Sequence, residues 1–366
     1  MLVPNKITCV VGARPNFMKI APIYRSLKKR GLTVRLVHTG QHYDAKMSQI
    51  FFDELDLPRP DAFLGVGSAS HAIQTAKIMT LFDADCDEFQ PQLVLVAGDV
   101  NSTVACAMVA AKRGIAVGHV EAGLRSRDWA MPEEINRVLT DACSDLLLTP
   151  SPDADINLEA EGFAKWRIYR IGNLMIDTLR HNLDRAKKLP ILNNLKLKKN
   201  NYAVITLHRP SNVDEKSQLM ALLEELGKCS ELLPCVFPMH PRTKSCIQKY
   251  NISVPAGIHI LPPLGYLEFL CLMAHAKVVL TDSGGIQEET TALGVPCLTL
   301  RDNTERPITI EKGTNTLLGS DPMKIFPALK DILTTGGKIG KVPKLWDGQA
   351  AERITDIVCS GFQTLV

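Results

Sequence analysis

The sequence lacks the features that mark several common protein classes. None of its apolar runs reaches the roughly 18 residues that a membrane-spanning helix needs. Basic and acidic residues nearly balance, at 42 and 39, so the net charge is only +3. This balance argues against nucleic acid or a membrane surface as a partner, and any bound anion must be met by local groups.

Paired cysteines are also missing. The ten cysteines are spread singly and form no C-x-x-C motif. Several lie inside apolar runs, such as Cys9 and Cys297, where a free thiol behaves as a small hydrophobic group. The first residues lack the basic segment, apolar core and cleavage site of a secretory leader. We therefore expect structural cysteines, no metal site and a reduced, cytoplasmic protein.

Two nucleotide-binding fingerprints are absent as well, since neither G-x-G-x-x-G nor G-x-x-x-x-G-K-[ST] occurs. What the chain does contain is a regular alternation of apolar runs and helical stretches. It begins ITCVVG, NFMKIAPIYRSLKKRG, TVRLVHTG and DAKMSQIFFDEL, and it restarts at YAVITLH. Apolar strands separated by helices predict parallel sheets covered on both faces.

A length of 366 residues predicts two domains. We place an N-terminal Rossmann-like domain at 1–183, joined by the C-terminal helix 347–366, and a second Rossmann-like domain at 184–346. The basic stretch 184–200, with a proline and three asparagines, is interpreted as an irregular linker. The predicted fold is α/β, with two doubly wound domains facing a central cleft.

In the first half, ionisable residues follow the ends of predicted strands. Arg14 and Lys19 lie at a glycine turn into a helix, where free N–H groups attract anions, although both could be plain surface cations. Asp99 follows the strand 93–97 and is either a helix N-cap or an acid–base group. Glu121 follows another strand with no helix start nearby, which favours a functional role.

The stretch GHVEAGLRSRDWAMPEEINR, residues 118–137, is rich in charge. Glu133 could complement a helix dipole, and Arg137 could be its ion-pair partner four residues later. The alternative is that both belong to a site on this strand-to-helix connection. We interpret the remaining ionisable residues of this stretch as structural or surface charges. They are Arg125, Arg127, Asp128 and Glu134.

In the second half, two histidines follow predicted strands. His208 ends the strand 204–207 and is either a proton-transfer or phosphate-binding group or a satisfied core or loop residue. His240 and Arg242 repeat the arrangement in FPMHPRT, where prolines on both sides suggest a rigid loop.

The stretch VVLTDSGGIQEETTALGVP carries the most specific signal. Ser283, Gly284 and Gly285 open a helix after an apolar strand, and twin glycines let backbone N–H groups approach a phosphate closely. One turn later, Glu289 is placed to accept both hydroxyls of a ribose. Dipole compensation is the alternative, but the combination favours nucleotide binding.

Eleven stretches, collinear from residue 12 to 354, resemble the non-hydrolysing UDP-N-acetylglucosamine 2-epimerases. They are GARPNFMKIAP, TGQHYD, GDVNST, GHVEAGLRS, MPEEINRVLTD, GNLMIDTL, LHRPSN, HPRT, LTDSGGIQEE, LRDNTERP and DGQAAERI. The resemblance implies a glycosyltransferase-B-type fold with the C-terminal helix returning to the first domain, and UDP bound mainly by the second. It also implies no nicotinamide or other cofactor, a homodimer, and a role in cell-surface polysaccharide biosynthesis.

The same resemblance implies residue roles. The residues that it assigns to nucleotide binding are Ser283, Gly284, Gly285 and Glu289. The residues that it places around the sugar and diphosphate are Arg14, Lys19, Asp99, Glu121, Glu133, Arg137 and His208. Further candidates for substrate binding are His240, Arg242 and Arg306.

The implied reaction eliminates UDP across C1–C2 to give 2-acetamidoglucal, then returns UDP with the proton on the other face. Asp99 and Glu121 are the predicted proton-transfer groups, and Glu133 orients or shares that role. The alternatives are a hydrolysing epimerase, an epimerase of a diacetamido or uronate UDP-sugar, a glycosyltransferase of the same fold, and a catalytically silent nucleotide-sugar sensor.

The sequence departs from the family pattern in two places. Asn16 stands where the family often has glutamate, and Pro210 and Ser211 follow Arg209 where it often has HRRxN. In the family the second arginine of that motif lies near a regulatory substrate site. Its absence argues against allosteric activation by substrate.

Overall fold

A computed structural model describes residues 1–41 and 52–365. Residues 42–51 lie outside the described part, and with them most of the predicted helix DAKMSQIFFDEL and part of the TGQHYD stretch. The side chain of Arg14 is also outside it. The chain forms two compact units, one of residues 1–181 and 344–366, the other of residues 182–343.

The first unit is built on a seven-stranded sheet in which every pairing is parallel. Its strands are β1 (Lys6–Val11), β2 (Thr33–His38), β3 (Ala62–Phe63), β4 (Leu93–Ala97), β5 (Ala116–Val120), β6 (Leu146–Thr149) and β7 (Ile168–Arg170). In the order β3-β2-β1-β4-β5-β6-β7, successive strands are added on one side of β1 up to β3 and on the other side from β4 onwards, so the strand order reverses between β1 and β4. Doubly wound sheets bind ligands at the carboxyl ends of their strands near such a reversal.

Helices connect these strands, as the alternating sequence pattern predicts. They are α1 (Arg14–Lys29), α2 (His71–Phe89), α3 (Asn101–Lys112), α4 (Pro132–Cys143), α5 (Pro152–Ala160) and α6 (Leu174–Lys187), with a 3₁₀ turn at Lys165–Arg167. Proline occupies the first helical position of α4 and α5, where its missing N–H costs nothing.

The second unit repeats the design with six parallel strands. They are β8 (Ala203–Thr206), β9 (Cys235–Pro238), β10 (Ile258–Leu261), β11 (Val278–Thr281), β12 (Cys297–Thr299) and β13 (Asn315–Leu317). The order β10-β9-β8-β11-β12-β13 places the reversal between β8 and β11. The predicted fold class, α/β with two doubly wound parallel sheets, is therefore confirmed.

The helices of this unit follow the same alternation. They are α7 (Ile191–Asn194), α8 (Pro210–Val213), α9 (Lys216–Leu232), α10 (Pro241–Tyr250), α11 (Tyr266–Ala274), α12 (Gly284–Leu293), α13 (Pro307–Glu311) and α14 (Ile325–Thr335), with a 3₁₀ turn at Pro322–Lys324.

The prediction that residues 184–200 form an irregular linker is wrong for most of the first half of this segment. Helix α6 continues to Lys187, and α7 begins at Ile191 directly after Pro190. Ile191 and Leu192 are buried. Burial of these two apolar side chains stabilises a helical turn that the basic, asparagine-rich composition does not suggest.

The last helix, α15 (Ala350–Ser360), belongs to the first unit and packs on α1. Its first turn is capped from α6, because the Asp177 carboxylate accepts the N–H groups of Ala350 (3.1 Å) and Ala351 (2.8 Å). Thr355 hydrogen-bonds Ser26 of α1 at 2.7 Å between hydroxyl oxygens. Polar contacts thus fix the position of α15 within this unit.

Each unit has its own apolar core. In the first, Leu93, Val94 and Leu95 of β4 have no exposed surface; in the second, Val278 and Leu280 of β11 have none. All ten cysteines are free thiols. Among the residues that the structure describes, no helix is both long and apolar enough to cross a membrane.

Candidate active site

The turn after β1 is held by a single amide side chain. Oδ1 of Asn16 accepts the N–H groups of Gly12 (3.2 Å) and Ala13 (2.8 Å), and its Nδ2 donates to the Ala97 carbonyl at the end of β4 (2.7 Å). These two N–H groups of the turn are therefore already satisfied. Asn16 instead ties the ends of β1 and β4 together.

Lys19, on the first turns of α1, points at the end of β5. Its ammonium forms an ion pair with the Glu121 carboxylate, and each side chain is only 7% exposed. Glu121 itself has a φ of +72°, a left-handed conformation that residues other than glycine rarely adopt. Its N–H donates to the Leu148 carbonyl at the end of β6 (3.1 Å), which helps to hold that conformation.

Asp99 follows β4, but it does not cap the next helix. The N-cap of α3 is Val100, so the N-cap alternative is wrong. The Asp99 carboxylate instead pairs with Arg137, whose side chain is 4% exposed. The Asp99 carbonyl also accepts a hydrogen bond from Nδ2 of Asn136 (2.9 Å), so α4 contacts this turn through two consecutive residues.

The partner predicted for Arg137 is also wrong. Arg137 pairs with Glu134, three residues earlier, at 2.6 Å, whereas Glu133 is half-buried. Glu134 is buried and accepts the N–H groups of Ser126 (2.9 Å) and Arg127 (3.0 Å). Burial opposes ionisation, but these hydrogen bonds and Arg137 hold the pKa of Glu134 below its usual value.

Gly98 brings the two ion pairs together. A Cβ built on this glycine would lie 3.2 Å from Nζ of Lys19 and 3.9 Å from Oε2 of Glu121, and the next residue is Asp99. We call Lys19, Asp99, Glu121 and Arg137 the carboxylate cluster. It lies at the carboxyl ends of β4 and β5, next to the reversal in strand order.

Behind the carboxylate cluster is a charged network that sequence reasoning missed. His119 and Asp141 have no exposed surface, and Nδ1 of His119 lies 2.6 Å from Oδ1 of Asp141. Arg125 pairs with Asp141 (2.7 Å) and Glu161 (2.6 Å), so of the two interpretations, structural or surface charge, it is a structural charge. Burial raises the pKa of Asp141, but His119 and Arg125 outweigh it and bring the pKa below the usual value.

A sequence signal for this network was present. His119 interrupts an apolar strand, and Asp141 falls on the buried face of an amphipathic helix. Polar residues in such positions are hydrogen-bonded, although the sequence does not say to what. Arg127, in contrast, is exposed, as expected.

In the second unit, His208 follows β8 and is oriented by a buried aspartate. Nδ1 of His208 lies 2.9 Å from Oδ1 of Asp282, which has no exposed surface, while the histidine side chain is 35% exposed. Oδ2 of Asp282 accepts the N–H groups of His208 (2.9 Å) and Arg209 (2.8 Å). Burial raises the pKa of Asp282, but these contacts outweigh it and keep the pKa below its usual value.

Asp282 is another functional candidate that sequence reasoning missed. It precedes the SGG turn in LTDSGG, and a carboxylate next to a strand end was the available signal. Its second oxygen also accepts Nδ2 of Asn212 (3.1 Å), so it fixes α8 as well as the histidine. The arrangement leaves Nε2 of His208 as the nitrogen that can meet a ligand.

His240 and Arg242 begin α10. His240 is the N-cap, and its Nδ1 accepts the N–H of Arg242 (3.2 Å). Its ring centroid lies 5.4 Å from that of His208, so the structure brings the two predicted histidines together. The Arg242 guanidinium forms an ion pair with Asp214 (Nε to Oδ1 2.9 Å) on an exposed surface.

The SGG turn opens α12 after β11. Ser283 is the N-cap, and it makes no side-chain capping bond, which leaves the N-terminal N–H groups without that partner. A Cβ on Gly284 would lie 2.6 Å from Nη1 of Arg306 and 2.8 Å from Oε1 of Glu305, so a larger residue would have to displace these side chains. Arg306 is held by Glu288 (2.9 Å) and by Glu305. Helix N-termini of this kind favour phosphate.

Glu289, one turn into α12, is 4% exposed. Its Oε1 accepts the Tyr266 hydroxyl (2.9 Å), which fixes the carboxylate from α11. The structure therefore gathers His208, Ser283, Gly284 and Arg306 at the carboxyl ends of β8, β11 and β12, with Glu289 one turn further along α12.

Two Rossmann-like units, each with ionisable side chains at the carboxyl ends of its parallel strands, define an α/β protein of the glycosyltransferase-B type. The family model described as UDP-N-acetylglucosamine 2-epimerase matches residues 25–359. The chain belongs to this family.

Individual relatives agree with this assignment. The UDP-N-acetylglucosamine 2-epimerase of Methanocaldococcus jannaschii is 41% identical over 97% of this chain and 99% of its own length. The UDP-2,3-diacetamido-2,3-dideoxy-D-glucuronate 2-epimerase of Pseudomonas aeruginosa is 36% identical over 96% of this chain and 98% of its own. The crystal structure of the Methanocaldococcus jannaschii enzyme with UDP-GlcNAc and UDP superposes with a TM-score of 0.90, covering 97% of this chain and all of that one.

Proposed function

We propose that this protein interconverts UDP-N-acetylglucosamine and UDP-N-acetylmannosamine by inversion at C2, without releasing free sugar. The family assignment, the identity of 41% to the Methanocaldococcus jannaschii enzyme and the eleven collinear motifs support this substrate and reaction. The elimination and re-addition described below transfer a proton and UDP but no hydride, so this route needs no redox cofactor.

Inversion at C2 requires breaking a C–H bond that no carbonyl acidifies. In the proposed anti elimination a base takes the C2 proton, the C1–C2 double bond forms, and the C1–O bond breaks as UDP leaves with the electron pair. UDP then adds back to C1 of 2-acetamidoglucal while a proton is delivered to the opposite face of C2. The reaction therefore needs acid–base groups on two faces and cations for the diphosphate.

The observation that carries this proposal is the carboxylate cluster. Asp99 and Glu121 lie on adjacent strand ends, each paired with a cation, and both pairs border Gly98. Two carboxylates on separate turns can supply the two acid–base groups that the reaction needs. We assign them proton transfer, with Glu133 orienting the sugar or sharing that role.

The remaining candidates are proposed to bind the diphosphate and the nucleotide. Arg14, Lys19, Arg137 and His208 are proposed to stabilise the departing UDP. The SGG turn is proposed to bind phosphate, and Glu289 the ribose. His240, Arg242 and Arg306 are assigned to substrate binding.

The test is proton NMR of UDP-N-acetylglucosamine with the protein in deuterated water. We expect a mixture of the two UDP-sugars, with solvent deuterium incorporated at C2 of both. Free N-acetylmannosamine would instead identify a hydrolysing enzyme. Turnover only in the presence of an added acceptor would identify a glycosyltransferase, and binding without C2 exchange would identify a sensor.

A second candidate substrate is a diacetamido uronate UDP-sugar. The relative from Pseudomonas aeruginosa, named for such a substrate, matches 96% of this chain at 36% identity. Competition between the two UDP-sugars in one reaction, followed at C2 by NMR, compares their kcat/KM values directly. A higher value for the uronate would reassign the substrate while leaving the reaction type unchanged.

We also propose that the protein is a homodimer in the cytoplasm, on the basis of the family resemblance. Light scattering of the purified full chain measures its mass against the 40.3 kDa of one copy. A mass equal to one copy across the concentrations used for assay would contradict the dimer.

A further inference from the structure

A buried histidine and aspartate lie directly behind the carboxylate cluster, and the proposed reaction does not use them. His119 is on β5 and Asp141 on α4, both have no exposed surface, and they contact each other at 2.6 Å. We propose that the His119–Asp141 pair positions the two proton-transfer carboxylates. This role rests on the proposed function, because it concerns the geometry of that reaction.

The pair is attached first to the turn that carries Asp99. Nε2 of His119 donates to the Gly98 carbonyl at 2.8 Å, since a carbonyl can only accept. Gly98 has a φ of +71°, and its own N–H donates to the Val120 carbonyl (3.0 Å). Both backbone polar groups of Gly98, the residue before Asp99, are thus held by β5.

The second attachment is to the turn that carries Glu121. Oδ2 of Asp141 accepts the N–H of Gly123 at 3.1 Å. Gly123 has a φ of +78°, and a Cβ there would come within 2.4 Å of the Ala154 carbonyl oxygen, so the turn has little room to move. Asp141 therefore holds the end of the turn in which Glu121 adopts its left-handed conformation.

The third attachment is to the helix that supplies the cation. Asp141 lies one turn after Arg137 on α4, and Arg137 is the partner of Asp99. One buried pair therefore joins the Asp99 turn, the Glu121 turn and α4. A displacement of about 1 Å at a reacting group can cost about 100-fold in rate. Loss of the pair should consequently slow proton transfer while leaving the nucleotide site in the second unit intact.

Asp141→Asn is the sharpest variant, because it keeps the size of the side chain but replaces an accepting oxygen with a donating NH₂. That group either opposes the N–H of Gly123 or faces Nδ1 of His119, which can then no longer donate to this side chain. His119→Gln is the second variant. The matched control is Asp145→Asn, a buried carboxylate that accepts the Val117 N–H (2.9 Å) at the other end of β5.

The measurements are kcat, KM, UDP affinity and the primary isotope effect with substrate deuterated at C2. In Asp141→Asn we expect kcat to fall about 100-fold, with KM and UDP affinity within about threefold. The isotope effect should rise above the wild-type value in this variant but not in Asp145→Asn. It is measured only on molecules that turn over, so partial unfolding cannot imitate it.

The proposal is overturned if Asp141→Asn keeps the wild-type isotope effect, or if its kcat falls no further than that of Asp145→Asn. Absence of C2 exchange in the wild-type protein would instead refute the proposed function. If neither Asp141→Asn nor His119→Gln yields folded protein, Glu161→Gln is used. Glu161 is 29% exposed and holds Arg125 against Asp141, so a smaller rise is expected and an unchanged isotope effect again refutes the role.

Discussion

Glu121 occupies a backbone conformation that costs about 1 to 2 kcal/mol for a residue with a Cβ. Its φ of +72° is maintained by the Leu148 carbonyl, and its carboxylate is held by Lys19. Such local strain is retained where the side chain must point in a direction that an ordinary strand end does not give. The residue is therefore the most sensitive point of the proposed reaction.

Glu121→Gln should reduce turnover by about 1,000-fold or more, because an amide cannot transfer the C2 proton. UDP affinity should stay near the wild-type value. Turnover is measured by NMR at C2 and affinity by calorimetry. Asp128→Asn, in the same strand-to-helix connection, is the control and should keep its activity; near-normal turnover in Glu121→Gln would exclude the proton-transfer role.

Asp282 should matter for both stability and catalysis. Its folded pKa is lowered by its partners, so the stability it contributes is present above its unfolded pKa of about 3.9 and is lost as the pH falls. At pH 7, Asp282→Asn should cost about 1 to 3 kcal/mol in the free energy of unfolding. Turnover should fall about 10- to 100-fold, because His208 loses its orienting partner.

Urea unfolding of the wild type and Asp282→Asn at pH 7 and at about pH 3.5 checks the first part of this prediction. The difference between them should shrink at the lower pH, because below about pH 3.9 the unfolded chain binds a proton at this carboxyl group more readily than the folded protein does. A difference that does not change with pH would show that the charge on Asp282 is not what stabilises the turn. Asp321→Asn, in an exposed cap of the same unit, is the control.

At the scale of elements, the stability contributed by Asp177, where α6 contacts α15, changes with pH in the opposite direction to that contributed by Asp282. Burial raises the pKa of the Asp177 carboxyl to about 6, although the N–H groups of Ala351 and Ala350 pull it down. A raised folded pKa means that its stabilising contribution is full below the unfolded pKa of about 3.9 and is lost as the pH rises through about 6. The change is about 2 to 3 kcal/mol.

Asp177→Asn should therefore flatten the fall in unfolding free energy between about pH 4 and pH 7. It should also lose about 1 kcal/mol at neutral pH, because an amide has one accepting oxygen for two N–H groups. Urea unfolding across this pH range is the measurement. Asp356→Asn, an exposed residue of α15, should keep the wild-type pH dependence; the same slope in Asp177→Asn would contradict the prediction.

At the scale of the whole molecule, the two units have separate sheets and separate cores. If the second unit binds UDP, the nucleotide should slow amide exchange mainly around the SGG turn, 282–289, and the turn after β8, 207–213. Hydrogen-exchange mass spectrometry with saturating UDP tests this. Glu289→Ala should weaken the protection of the second unit. Protection of comparable size at 97–101 and 119–124 would show that UDP without the sugar also binds at the carboxylate cluster.

The sequence by itself determined the fold class and the strand ends at which the candidate residues lie. Apolar runs and helical stretches are local patterns, so the alternation around residues 93–112 predicts β4 and α3 without knowledge of the rest of the chain. Motifs such as SGG after a strand also carry their geometry locally. The same reasoning failed at 184–200, because there burial of Ile191 and Leu192 outweighed the local composition.

Only the tertiary structure decided which charged groups meet. Arg137 pairs with Asp99, 38 positions away, and His119 with Asp141, 22 positions away, although helical spacing suggested Glu133 as the partner of Arg137. Such pairs depend on which strand lies beside which and on the direction of each side chain from its element. A local pattern contains neither, because both are set by the packing of segments that are distant in the chain.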